Sequence, residues 1–182
     1  VPFEPEYLPI QGLILLKTKV FEDSRGFFSE LYRTDLFGSA GIPFTCEQIN
    51  HSRSSHGVLR GLHYQLPPKA QAKLVCVTEG EIFDVAVDIR KGSSTFGRWF
   101  GMRLTSTDHS MLFIPEGFAH GFTVLSPYAD VIYSCSNGYA PDLERGIIWD
   151  DPGLAINWPI ARPVISRRDQ EWPTFDKASS SL

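Results

Sequence analysis

The stretch Asn50 to Gly80, NHSRSSHGVLRGLHYQLPPKAQAKLVCVTEG, constrains the fold most, because it sets an ordered series of polar side chains inside what otherwise reads as two buried strands. Val58, Leu59, Leu62 and Tyr64 mark one strand, Leu74 to Val77 another, and Leu66-Pro67-Pro68-Lys69 the turn between them. The two are expected to pair as a hairpin centred on Pro68. In that register His63 and Lys73 face each other with Cβ atoms roughly 5 Å apart, and Gln65 shares their face. A lone histidine is more often a hydrogen-bonded structural group than a base, and a lysine leading a β-branched strand is more often a solvated strand end. Their pairing is what makes both candidates, since a buried ammonium is costly unless an anion meets it. Arg60, three residues before His63, falls on the opposite face by strict alternation unless Gly61 supplies a bulge.

Composition narrows the class. At 182 residues and 42% hydrophobic, the chain can bury one substantial core, so a single domain over 1–182 is expected. Abundant Pro, Gly, Phe and Val with few long polar helical runs favour an all-β sandwich or barrel with short strands and a few short helical segments. A net charge of −4 argues against a nucleic-acid partner, yet a few Arg and Lys converging on one pocket still suit an anionic small molecule. Cys46, Cys76 and Cys135 are odd in number and lack CxxC spacing, which suggests neither a disulfide framework nor a zinc ribbon and suits a reducing cytoplasm. The opening VPFEPEYLPIQG has no basic region followed by an apolar run, and no apolar segment approaches about 18 residues. A soluble cytoplasmic protein without membrane association is expected.

Along the chain, Leu13 to Val20 is β-rich, and the acidic turn Glu22-Asp23-Ser24-Arg25-Gly26 leads into Phe27 and Phe28. Arg25 and Glu30 flank this aromatic pair, which suits either a stacked heterocycle with Arg25 on a phosphate, or a turn charge beside core aromatics. Asp35 to Ala40 reads as a helical turn or two. Phe44 to Asn50 reads as a strand that runs out into the polar Gln48, Asn50, Ser52, Arg53 and Ser54, a pattern usual for a solvated loop. In Glu81 to Arg90, Ile82-Asp84-Ala86-Asp88 alternates with Phe83-Val85-Val87-Ile89, one polar and one core face of a scaffold strand.

The spacing of polar groups adds a resemblance. His63-Tyr64-Gln65, Lys73 and Gly80 keep the frame of the first metal motif of cupin β-barrels, and Pro115-Glu116-Gly117-Phe118-Ala119-His120 resembles the second. The ligands are replaced: an amide stands in place of an imidazole and an ammonium in place of a carboxylate, too few donors for a catalytic divalent metal. A jelly-roll pocket without metal or organic cofactor is expected, with His120 as a neutral hydrogen-bonding or positioning group.

RGLHYQ around His63, AKLVCV after Lys73, IPEGFAHGF, the Tyr133 to Pro141 segment, Glu144 to Pro152 and Ser166-Arg167-Arg168-Asp169 occur in one order from about Gly12 to Pro173. That order resembles the dTDP-4-dehydrorhamnose 3,5-epimerase family. The resemblance implies a metal-free cupin-type jelly roll forming a homodimer with an exchanged strand, acting on a dTDP-linked 4-keto-6-deoxy hexose at C3, C5 or both. It further implies His63 as base, Asp169 as its orienting carboxylate, Tyr133 as the acid on the other face of the sugar, and Lys73 as enolate stabiliser. Arg25, Glu30, Gln48, Ile49, Asn50, Arg60, Lys73, His120, Glu144 and Arg168 match the family's positions for nucleotide, pyrophosphate and sugar, and Tyr139 an aromatic that shapes the pocket. Two departures stand out: Arg168 where Lys is commoner, which turns a point donor into a planar fork, and Asn137-Gly138 where a bulkier or acidic pair is commoner.

The chemistry suits these groups on its own terms. A ketone at C4 acidifies the C–H bonds at C3 and C5, and inversion requires a proton removed on one face and returned on the other. Imidazole, ammonium and phenol supply the base, charge stabiliser and acid. Two rivals remain open on sequence: a metal cupin oxygenase or isomerase, and a non-catalytic sugar-nucleotide binding module.

Overall fold

The structure is a computed structural model and describes residues 3–180. In chain order the elements are β1 (Phe3–Tyr7), β2 (Ile14–Thr18), β3 (Val20–Asp23), β4 (Gly26–Ser29), α1 (Thr34–Ser39), β5 (Gln48–Ser55), β6 (Val58–Gln65), β7 (Lys73–Glu79), β8 (Glu81–Asp88), β9 (Trp99–Thr105), β10 (Ser110–Ile114), β11 (Phe118–Val124) and β12 (Tyr128–Cys135). A 3-10 turn at Pro141–Leu143 leads to β13 (Glu144–Gly146), β14 (Val164–Ile165), α2 (Arg167–Gln170) and α3 (Phe175–Ser179). One sheet has the order β1-β2-β10-β7-β12-β5, the other β13-β6-β11-β8-β9 with β14 added parallel to β6, and β3-β4 forms a separate ribbon. Apart from β14 the pairings are antiparallel, and the two sheets stack as a cupin-type jelly roll.

Between the sheets Leu15, Val75, Leu112 and Val131 of the first meet Ile82, Ala86, Leu104 and Phe122 of the second. Each sheet is also covered on its outer face. Phe37, Ile42 and Phe44 lie over Leu16, Leu74 and Phe113 on the first. Ile147, Leu154 and Ala178 lie over Tyr64, Val85 and Ala119 on the second. Strands covered on both faces lose their alternation, which is why β10 and β11 are buried at every position.

This double covering corrects three sequence expectations. The strands around His63 and Lys73 do not form a hairpin: β6 pairs with β11 and β13, β7 with β10 and β12, and the Pro-containing segment between them crosses from one sheet to the other. Each strand needs apolar cover on both sides, which two facing layers provide and an isolated ribbon does not. The acidic face of β8 is not solvated either. Asp84 and Asp88 are fully buried, because that face turns into the barrel. Finally, the polar run from Gln48 is not a loop but the edge strand β5, paired along its length with β12, its even-numbered residues turned inward.

Candidate active site

The two sheets diverge at one end around a cavity of about 430 Å³, which His63, Lys73, His120, Tyr133 and Asp169 help to line. His63 stands on β6, directly across the ladder from His120 on β11. Lys73 opens β7 and Tyr133 lies on the neighbouring β12, so both belong to the opposite wall. His63 and Lys73 thus share a pocket across the gap between the layers, not along a ladder.

His63 is oriented from outside its own sheet. Its Nε2 lies 2.6 Å from Asp169 Oδ1, on the short helix α2. Asp169 is held in turn: Ser166 Oγ accepts a hydrogen bond from its backbone N–H at 3.1 Å, Trp172 Nε1 donates to Oδ1 at 3.2 Å, and the Gly61 N–H donates to Oδ2 at 3.4 Å. Burial raises its proton affinity, but the hydrogen bond and charge of His63, with the Gly61 and Trp172 donors, more than offset this, leaving its pKa below the ordinary value. A carboxylate fixed on one ring nitrogen leaves the other to face a ligand.

Gly61 is where β6 departs from regular alternation. Its φ is +116°, and the register against β11 shifts between His120 and Phe122. A Cβ there would fall 2.6 Å from both His120 O and Gly121 Cα, so only glycine fits. The bulge brings Arg60 to the cavity that His63 lines, where its Nε donates to Ser54 Oγ at 3.0 Å.

Lys73 is buried and has no hydrogen bond or ion pair among the described residues. Burial pushes its ammonium below the ordinary 10.5, against the opposing pull of Cys135, Asp84 and Glu144. Burial pushes the Tyr133 phenol up, with Cys135 and Glu144 adding to the effect and Arg60 opposing it, so it stays a proton donor at neutral pH. His120 Nε2 lies 2.8 Å from Asp84 Oδ2, both buried. Burial lowers its proton affinity despite Asp84, and Lys73 and His63 lower it further.

A second lobe of about 250 Å³ shares His63, Lys73 and Tyr133 and opens toward Gln48, Asn50 and Tyr139. Gln48 Nε2 donates to Asn50 Oδ1 at 2.8 Å, and the Tyr139 N–H donates to Gln48 Oε1 at 2.7 Å. The Tyr139 hydroxyl donates to Glu144 Oε2 at 2.5 Å, the same oxygen that Arg168 engages, and Arg168 lies 5.2 Å from the Trp172 ring centre. Gln65 anchors the lobe's rim, donating to Lys69 O at 2.7 Å and accepting from the Ala140 N–H at 2.8 Å.

Three predicted residues are not brought to this cavity. Ile49, on the outward face of β5, is exposed. Arg25 is paired with Asp23 at the exposed tip of the β3-β4 ribbon, beside Phe27 and Phe28, both exposed. Glu30 faces Arg33. Conversely, Asp84, Trp172, Ser166 and Ser54 belong to the site without having been singled out for it. Asp84 was visible only as an acid in an alternating strand. Among the described residues no group of three or more His, Cys, Asp or Glu could hold a metal ion, and His63 and His120 are each committed to a carboxylate.

Fold and site together define a jelly-roll protein of the cupin type whose cavity carries groups for proton transfer at carbon: a carboxylate-held imidazole, an ammonium and a phenol. Residues 7–177 match the dTDP-4-dehydrorhamnose 3,5-epimerase family. A dTDP-4-dehydrorhamnose 3,5-epimerase of Pseudomonas aeruginosa is 50% identical over 173 residues, 94% of this chain and 95% of that one. The crystal structure of a dTDP-4-dehydrorhamnose 3,5-epimerase from Elizabethkingia anophelis superposes with a TM-score of 0.93 at 39% identity, covering 98% of this chain and 100% of that one. A dTDP-6-deoxy-D-glucose-3,5-epimerase of Legionella pneumophila, solved in complex with dTDP-4-keto-L-rhamnose, gives 0.92 at 43% identity, covering 96% and 93%. The chain belongs to the dTDP-4-dehydrorhamnose 3,5-epimerase family.

Proposed function

We propose that this protein inverts C3 and C5 of a dTDP-linked 4-keto-6-deoxy hexose by removing a proton from one face of the sugar and returning one to the other. The observation that carries this reading is the 2.6 Å His63–Asp169 contact on one wall of a cavity whose opposite wall bears Tyr133 and Lys73. His63, through the ring nitrogen that Asp169 leaves free, takes the proton, and the carboxylate stabilises the imidazolium that forms. Lys73 offsets the negative charge that collects on the C4 oxygen as the enolate develops. Tyr133, still protonated, supplies the proton from the other side. Every step is an acid–base step on carbon or oxygen, and none draws on a metal or an organic cofactor.

The nucleotide end fits the two lobes together. Arg60 and Arg168 offer guanidinium forks to the pyrophosphate, His120 a ring nitrogen to the sugar, and Gln48, Asn50, Tyr139 and Glu144 polar edges and an aromatic face to the base and ribose. Arg25 and Glu30 complete the set if the chain forms a homodimer in which the β3-β4 ribbon of one subunit reaches the partner's pocket. The exposed Phe27 and Phe28 on that ribbon, 62% and 66% accessible, support such an exchange, because apolar rings on a free ribbon call for a covering surface. Residues 1–182 then form a cupin-type epimerase domain, and the free Cys46, Cys76 and Cys135 suit a reducing cytoplasm; no described helix is long and apolar enough to cross a membrane.

The test is a proton NMR time course of dTDP-4-keto-6-deoxyglucose with the protein in D2O. Deuterium should enter at both C3 and C5 with inversion. Tight binding of the nucleotide sugar without exchange at either carbon would make the protein a binding module instead, and exchange at one carbon alone would make it a mono-epimerase.

A further inference from the structure

A carboxylate that orients a base must itself be held, and His63 cannot serve as the reference for its own partner. Asp169 stands on α2, a single helical turn whose N-cap Ser166 fixes the backbone of Asp169 but not its carboxylate. The Gly61 N–H reaches Oδ2 at 3.4 Å, beyond the usual range for a hydrogen bond. The remaining side-chain contact is Trp172, whose Nε1–H donates to Oδ1 at 3.2 Å, the same oxygen that meets His63 Nε2 at 2.6 Å. Both lone pairs of Oδ1 are then occupied, and turning the carboxylate breaks two bonds at once.

The indole has a seat beside the imidazole. β13 pairs with β6, and the residue across that ladder from His63 is Gly146. A Cβ on Gly146 would fall 2.4 Å from Trp172 Cδ2 and Cε2 and 2.5 Å from its Nε1, so the ring fills the space that a side chain of β13 would take. The two rings meet edge to face, 6.1 Å between centres at 72°. The segment that carries Trp172 is tied to the chain leaving β13: the Ile148 N–H donates to Pro173 O at 2.9 Å, and the Phe175 N–H to Asp151 Oδ2 at 2.8 Å. Trp172 itself lines neither lobe of the cavity. Resting on the epimerase reading for the duty of His63, we propose that Trp172 is a positioning residue: its indole N–H fixes the Asp169 carboxylate on His63, from a seat that Gly146 leaves vacant beside the imidazole.

The test separates the bond from the reaction. In a 15N NMR spectrum of the four tryptophan side chains, Trp172 is assigned by its loss in Trp172→Phe or by its nuclear Overhauser contact with the His63 ring. Its Nε1–H signal should move upfield in Asp169→Asn, because a neutral amide accepts a weaker hydrogen bond than a carboxylate. A signal that stays in place overturns the proposal. In turnover, Trp172→Phe keeps a ring against Gly146 and Arg168 and loses the N–H, so kcat should fall about 10-fold to 100-fold while KM for the nucleotide sugar stays within about twofold of wild type. An unchanged kcat, or a loss carried by KM instead, overturns it equally. Gly146→Ala retains the indole but takes its seat, and should reproduce both the upfield move and the loss of kcat. It replaces Trp172→Phe if that variant does not fold, and a wild-type kcat in Gly146→Ala also overturns the assignment. A protein that shows the Asp169→Asn effect on the indole but exchanges no substrate proton would sink the epimerase reading and leave the Trp172–Asp169 bond standing.

Discussion

His63, Tyr133 and Lys73 have separable duties, and each gives its own signature. His63→Asn removes the base but none of the groups offered to the nucleotide, so exchange and inversion should drop by about 100-fold to 10,000-fold. Affinity for dTDP by calorimetry should stay near the wild-type value; normal turnover would remove His63 from the base position. Tyr133→Phe loses only the returning proton. The enolate still forms and recaptures a proton from the His63 side, so deuterium should enter with retention of configuration, with Tyr139→Phe as the control for loss of a nearby phenol. Epimerisation by Tyr133→Phe at the wild-type rate would make Tyr133 a wall residue. The pH dependence has a defined sign. Lys73 is cationic below its folded pKa, which burial holds under the ordinary 10.5, while Tyr133 is pushed above its ordinary 10.0. As pH rises, Lys73 loses its proton earlier than an ordinary lysine does, and kcat should fall on an alkaline limb that is absent from the residual activity of Lys73→Met. A limb of the same position in that variant would assign it elsewhere.

At the scale of the strand, the bulge in β6 matters as much as the residues it serves. Gly61→Ala forces a side chain onto a φ of +116° and against the backbone of β11. A cost of about 3 kcal/mol or more is expected in urea unfolding. Activity should fall beyond what instability explains, since Arg60 and His63 flank the bulge. A stable, fully active variant would show that the bulge is dispensable. The end of β8 offers an acid-stability prediction. Burial of Asp88 raises its proton affinity, but hydrogen bonds from Arg90, Ser93 and Thr95 win and hold the pKa at about 2, below the ordinary 3.8. A lowered folded value stabilises above the unfolded pKa and is lost as pH falls through the folded one. Asp88→Asn should thus cost on the order of 2 kcal/mol at neutral pH, with the gap to wild type closing as pH drops from about 4 toward 2. A gap that does not change with pH would mean that packing, not charge, accounts for the loss.

For the molecule as a whole, the question is whether one chain holds a complete site. Arg25 sits on a ribbon away from the pocket of its own chain, paired among the described residues with Asp23 alone. If that ribbon serves a partner, Arg25→Ala and His63→Asn should each be nearly inactive alone. Unfolded together and refolded, they should recover about a quarter of wild-type activity, because half the dimers are mixed and each mixed dimer carries one intact site. No recovery would confine each site to its own chain. Phe27→Ser/Phe28→Ser should lower the mass seen by sedimentation.

What the sequence determined by itself was whatever is encoded locally or as an ordered series of motifs: the β-rich character, the helical turn near Asp35, the His63–Asp169 partnership through the family resemblance, and the glycine that permits a bulge. The layer to which each strand belongs was decided by tertiary structure alone. Strand pairing is set by which faces find apolar cover, and β6 and β7 bury both faces only by parting into separate sheets. The same cause hid Asp84. An aspartate in an alternating strand reads as solvated until a second sheet closes over it, and only then does its carboxylate face His120 in the cavity that also holds Lys73.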